Sequence, residues 1–207
     1  MFLNLFEPYK SYSSLHIVLE IIAVLFAIAS VLYSKKNNIK VYPTGIISTL
    51  IFVWLLYKWE LFGDMIINVY YFVMSLYGWY LWSKNSDDKP ILPITKLNRK
   101  DCKVSGWIFI FSTIFVALVY FYFEKFGVWW SYVDIFTTGL FFVGMYLLAK
   151  RKVEHWIFLI MGDFISIPLY YFKGYTITGI LFVIYTIIAV FGYLEWKKIW
   201  NKENQTV

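Results

Sequence analysis

The sequence predicts an all-α integral membrane protein of seven transmembrane helices, arranged as two parallel three-helix repeats around a linking helix, 3+1+3. Three observations carry that expectation: the apolar composition, the alternation of basic clusters between apolar runs, and an internal repeat at a fixed spacing. Of 207 residues, 60% fall in the hydrophobic class and only 15% are charged. A soluble domain of this size leaves roughly 30% of its unfolded surface wet. So few polar groups could not cover that surface, so lipid must supply part of the solvent. The aromatic share of 23% fits a bilayer, where Trp and Tyr rings settle at the headgroup level.

A spanning helix needs about 20 mostly apolar residues. An N-terminal segment, 1–14, contains Glu7, Pro8 and Lys10 and lacks a small-residue cleavage site after a short apolar core, so no cleavable signal is expected. The first candidate span is 15–34. Runs 41–57 and 61–82 follow across short polar breaks, which makes 15–82 the first three-helix repeat. Residues 83–103, with Asp87, Asp88, Pro90, Pro93 and several basic side chains, read as a cytoplasmic linker. The linking helix is 104–123. Spans 128–149, 153–172 and 175–197 build the second repeat, 128–198, before a C-terminal tail at 199–207; outside the breaks, helix is expected throughout.

The basic residues set the orientation, because cytoplasmic loops near helix ends are enriched in Lys and Arg. Fifteen of the 19 lie on one side of the expected topology, and Lys10, Lys58, Lys125 and Lys173 lie on the other. The N-terminus is therefore expected outside and the C-terminus in the cytoplasm. The net charge of +6 would suggest nucleic acid in a soluble chain. Here topology accounts for it, and the expected partner is the lipid bilayer, with no nucleic acid.

Sliding the chain by 114 residues without a gap superposes Tyr57 on Tyr171, Val69 on Val183, Tyr71 on Tyr185, Gly78 on Gly192, Trp82 on Trp196 and Lys84 on Lys198. Ile46/Ile160, Ile51/Ile165 and Leu55/Leu169 coincide as well, and Glu20 meets Asp134. One helix between the units keeps them in the same orientation, the parallel case among transporters.

The runs VYPTGIISTLIF, LFGDMIINVYYFVMSLYGWYLW and EHWIFLIMGDFISIPLYYFKG, with the ending YTIIAVFGYLEWKK, resemble the PnuC family of bacterial vitamin transporters over about residues 15–198. The 3+1+3 order is similar to the SWEET-type fold. The resemblance implies a facilitator in a bacterial inner membrane, working by facilitated diffusion with cytoplasmic phosphorylation as the trap, and often a homotrimer. It implies a small cationic vitamin as substrate, nicotinamide riboside first, with thiamine or another vitamin of the same family as the alternative. Nicotinamide riboside carriers tend to show Asn-Trp-x-x-Trp at the start of helix 6, where this chain has His155, Trp156 and Leu159, and Gln where Asn68 stands.

Helix 3 places Asn68, Tyr71 and Ser75 on one face. In lipid such a stripe must turn towards protein, water or solute. Its repeat mate offers Phe182, Tyr185 and Ala189. These residues read either as a binding face or, for the polar ones, as interhelical glue. Trp156 and Asp163 lie seven apart on helix 6. An indole face attracts a cationic ring by roughly 0.5–2 kcal/mol, and the resemblance favours Trp156 as that face over an interfacial anchor. Asp163 lies deep enough that an uncompensated charge is costly. Glu20 and Asp134 are read as gating carboxylates, or as a proton-coupling pair in a proton-coupled solute carrier. Pro43 and Pro168 are hinge candidates, since each removes a helix hydrogen bond.

An enzyme would need a nucleophile–base pair or a metal set, and the sequence shows neither. Two histidines, His16 and His155, and a single cysteine, Cys102, make no metal site, and no cofactor is expected.

Overall fold

The computed structural model describes residues 13–59, 62–86, 89–90, 92–173 and 176–205. Among these described residues are seven α-helices: α1 (Ser14–Lys35), α2 (Val41–Lys58), α3 (Phe62–Trp82), α4 (Arg99–Tyr122), α5 (Trp130–Ala149), α6 (His155–Phe172) and α7 (Thr176–Gln205). Six are long and apolar enough to cross a membrane. The remaining one, α3, has the length, but Asp64, Asn68 and its tyrosines dilute its apolar content.

Local chemistry sets the ends that hydropathy could not. α4 begins at Arg99, five residues before the expected start, because Asn98 and Asp101 form a capping box. The Asn98 side chain accepts from the Asp101 N–H at 2.8 Å, and the Asp101 carboxylate accepts from the Asn98 N–H at 3.3 Å. α7 runs on to Gln205, carrying exposed Lys197, Lys198 and Lys202 beyond the apolar stretch. The linker also departs from the expected helix and loop. Asn85–Ser86 pairs with Lys89–Pro90 as an antiparallel ladder, and Thr95 bridges in parallel to Lys152.

α1 packs on α2 and α7, α3 on α2 and α5, α6 between α5 and α7, and α4 on α5. Hydroxyls stitch the apolar helices together, as expected where lipid gives no hydrophobic drive. Ser48 donates to the Ala23 carbonyl at 2.8 Å, and Tyr70 donates to the Phe142 carbonyl at 2.9 Å while stacking on that ring.

The core sits at the end of the bundle where the basic loops gather. Trp82 of α3 donates its indole N–H to the last carbonyl of α5, Ala149, at 3.2 Å, and Trp196 of α7 donates to Ser34, near the end of α1, at 2.8 Å. Their rings lie 6.0 Å apart. Tyr42 packs over Gly78 and Trp156 over Gly192, so closely that a Cβ would fall 2.3 Å and 2.5 Å from the rings. Only glycine fits at either place. The linker is strapped across this end. The buried Arg151 guanidinium covers Trp82 at 4.1 Å and donates to the Leu92 carbonyl at 2.7 Å, while Glu154 accepts from the Leu97 N–H at 2.9 Å. Burial pulls the Arg151 pKa down from its ordinary value, and the Tyr42 phenol opposes that shift.

Candidate functional site

Between the helices lies a cavity of about 390 Å³, within the range of about 300–1,000 Å³ usual for small-molecule sites. It begins beside Asp64, Tyr120, Asp134 and Lys173, at the end of the bundle opposite the basic loops, and stops at Leu159, Met145 and Ala189 above the tryptophan cluster.

Asn68, Tyr71, Ser75, Asp163 and Tyr185 all line it. α3 can present three of these together because a helix brings i, i+3 and i+7 onto one face. The Asn68 amide donates back to the Asp64 carbonyl at 3.0 Å, which leaves its oxygen for the cavity. Asp163 is 6% exposed, and among the described residues nothing hydrogen-bonds or ion-pairs with it. Phe141, Phe182, Tyr170 and Tyr185 form the adjoining aromatic wall, with Phe182 stacked 6.2 Å from Phe141 and tilted against Tyr170 at 5.0 Å.

Trp156 is elsewhere. Its side chain is 0% exposed, in contact with His155 at 4.4 Å and Trp196 at 6.1 Å, and its ring lies over Gly192. The expected stacking face is therefore corrected: both faces of the indole are covered by protein. Trp156 and Asp163 do share a side of α6, but seven residues are about 10 Å of helix, and the cavity ends between them. Leu159, one turn on, is the helix-start residue that reaches it.

The gating candidates separate too. Asp134 lines the cavity, ion-pairs with Lys173 of the α6 C-cap and accepts from the Tyr120 hydroxyl at 3.0 Å. Glu20 does not line it, so the two carboxylates do not form a pair there. Pro168 lies inside α6 and faces outward, where it removes the bond to the Phe164 carbonyl. Pro43 is the third residue of α2, in the first turn, where an N–H has no partner within the helix in any case. The expectation that it breaks a helix hydrogen bond is corrected accordingly.

Sequence reasoning missed Lys173, Tyr120, Phe141, Tyr170, Ser166 and the hydroxyl side chains of α1 and α2. The one available signal was Ser30, Ser48 and Thr49, three small polar residues inside apolar runs. Lys173 gave none, because it reads as an ordinary basic residue at a helix end.

The arrangement can hold a flat cation: a carboxylate without a counter-ion, an aromatic wall beside it, and hydroxyls opposite. A free anion would meet Asp64, Asp134 and Asp163, while the Lys173 ammonium is already engaged by Asp134.

A family model described as nicotinamide mononucleotide transporter matches residues 17–198. Among solved structures, one described as the crystal structure of the vitamin B3 transporter PnuC is similar to this chain at a TM-score of 0.68 and 20% identity, covering 96% of this chain and 86% of the other. At that identity the likeness carries the fold. Comparison with the curated proteins returns no match.

Proposed function

Since the chain belongs to the nicotinamide mononucleotide transporter family, we propose that it is a facilitator that takes nicotinamide riboside, the phosphate-free cation, across the bilayer. It is a multi-pass membrane transporter and not an enzyme. The observation that carries the substrate reading is Asp163, a buried carboxylate without a partner among the described residues, on the wall of a cavity rich in aromatic rings. A pyridinium ring supplies the counter-charge that the site lacks, and Tyr185 and Phe182 offer it flat surfaces. A phosphate on the solute would instead meet carboxylates, a desolvated like-charge contact. Thiamine shares the cationic ring and remains the runner-up.

The seven helices are read as seven spans in the 3+1+3 order, with α3 spanning because its polar face turns to the cavity instead of to lipid. Reciprocity supports the repeat: Trp82 ties α3 to the end of α5 as Trp196 ties α7 to the end of α1, and Tyr42 over Gly78 matches Trp156 over Gly192. With the basic loops in the cytoplasm, the tryptophan core is a closed inner barrier and rocking of the repeats would open it. Hydrogen-bonded and ion-paired Asp134 favours uniport over coupling through Glu20 and Asp134. The homotrimer rests on the resemblance alone.

Uptake of labelled nicotinamide riboside into proteoliposomes, with unlabelled thiamine as competitor, tests the reading. Saturable uptake that thiamine leaves unchanged is expected. Absence of riboside uptake, or competition by thiamine at lower concentration than by the riboside itself, would overturn it.

A further inference from the structure

The cavity wall made by α1, α2 and α3 has a chemistry of its own. Ser30, Ser48, Thr49 and Ser75 all line it. Each hydroxyl lies close to a backbone carbonyl: Ser30 to Val41 at 2.7 Å, Ser48 to Ala23, Thr49 to Gly45 and Ser75 to Tyr71, each at 2.8 Å. A carbonyl only accepts, so each hydroxyl must spend its single hydrogen there. What remains on all four oxygens is lone pairs. The wall therefore offers acceptors, and a solute satisfies it only with donors.

The same wall has a recess. Gly45 sits between two of these hydroxyls, and a Cβ on it would lie 3.2 Å from the Ser30 oxygen and 3.4 Å from the Ser75 oxygen. Without that methyl, space remains beside two acceptors from different helices. One repeat length on, the pattern is reversed: Leu159 replaces Gly45, Gly144 replaces Ser30, Asp163 replaces Thr49 and Ala189 replaces Ser75. Leu159 fills the space over Gly144, where a Cβ would come within 2.8 Å of it. The cavity is thus two-sided, with carboxylate and rings on the α6–α7 side and hydroxyl acceptors on the α1–α3 side.

We propose that the recess at Gly45, bordered by Ser30, Ser75 and Thr49, is a polyol subsite that accepts hydrogen bonds from the sugar hydroxyls of the solute while Asp163 holds its cationic ring. The assignment rests on the reading of the solute as a ribosyl cation and goes beyond it in naming the residues that read the sugar. A solute with the ring but without hydroxyl donors leaves the wall unsatisfied. One carrying only acceptors there sets lone pair against lone pair.

Binding of three ligands to the purified full chain separates the possibilities: nicotinamide riboside, its 2′,3′-dideoxy analogue, and 1-methylnicotinamide, methylated on the ring nitrogen, which keeps the cationic ring and has no sugar. The parent is expected to bind the riboside about tenfold or more tightly than either of the others, the effect of hydroxyl donors lost from a buried acceptor site. Gly45→Ala and Thr49→Val should each weaken riboside binding about tenfold and leave 1-methylnicotinamide unchanged, and Thr49→Ser should restore the riboside. Equal affinity of the parent for the riboside and the dideoxy analogue would overturn the subsite without any variant. So would folded variants that bind the riboside like the parent, or that lose both ligands in proportion. A parent that binds none of the three removes the ribosyl-cation reading itself, and the subsite with it.

Discussion

Replacing Gly192 by Ala puts a methyl where the structure has no room. The added Cβ would sit 2.5 Å from Cζ2 and 2.6 Å from Cε2 of Trp156, about 1–1.5 Å inside the optimal separation of about 3.5–4.0 Å between carbon atoms. The ring cannot retreat, because His155 and Trp196 flank it and Trp196 is itself tied to the Ser34 carbonyl. The helices must part instead, an overpacking cost of about 1–3 kcal/mol. At about 2–4 °C per kcal/mol for a chain of this length, the detergent-solubilised variant should melt several degrees below the parent. Shrinking the opposing ring with Trp156→Phe in the same chain should recover part of the loss. Gly106→Ala is the control, since a Cβ there meets nothing within 4 Å and the change only improves helix propensity. Nicotinamide riboside binding, per folded molecule, should be unaffected in Gly192→Ala. A variant that melts with the parent would refute the close packing. One that keeps its melting temperature yet loses the riboside would return Trp156 to the binding site.

Lys173→Met leaves Asp134 buried without its cation and should cost about 3–5 kcal/mol; adding Asp134→Asn should restore most of the stability, and equal melting of all three proteins would contradict the pair. A reporter fused to the C-terminus is expected to be active in the cytoplasm, because the basic loops share that side; activity confined to the periplasm reverses the topology. Riboside uptake into proteoliposomes should keep its initial rate when an ionophore collapses the proton gradient, and a rate that falls with the gradient would replace uniport by coupling.

The sequence was most legible where lipid imposes the rule. Each apolar run became a helix, because unpaired backbone groups cannot face hydrocarbon, and the polar stripe of α3 turned inward for the same reason. Helix ends were less legible: the Asn98–Asp101 box starts α4 in a charged stretch where hydropathy is silent. Depth was not legible at all. Helical phase correctly put Trp156 and Asp163 on one side of α6, but only the packing of Gly192 against the indole shows where the cavity stops. Lys173 illustrates the same gap, since its partner Asp134 is 39 residues away and on another helix. The hydroxyls of α1 and α2 were visible as residues and invisible as a surface, because which hydrogens they spend depends on neighbouring backbones.

The central claim is that Asp163 supplies the counter-charge for a phosphate-free pyridinium solute. It is tested most directly by titrating the purified parent and its Asp163→Asn variant with nicotinamide riboside and with nicotinamide mononucleotide. A hydrogen bond or contact to a charged partner is worth about 1.5–3 kcal/mol, which corresponds to roughly ten- to a hundredfold in affinity. The account predicts that the parent prefers the riboside and that Asp163→Asn, still folded, loses it by that factor. Equal binding of the riboside by parent and variant, or tighter binding of the mononucleotide by the parent, would contradict it.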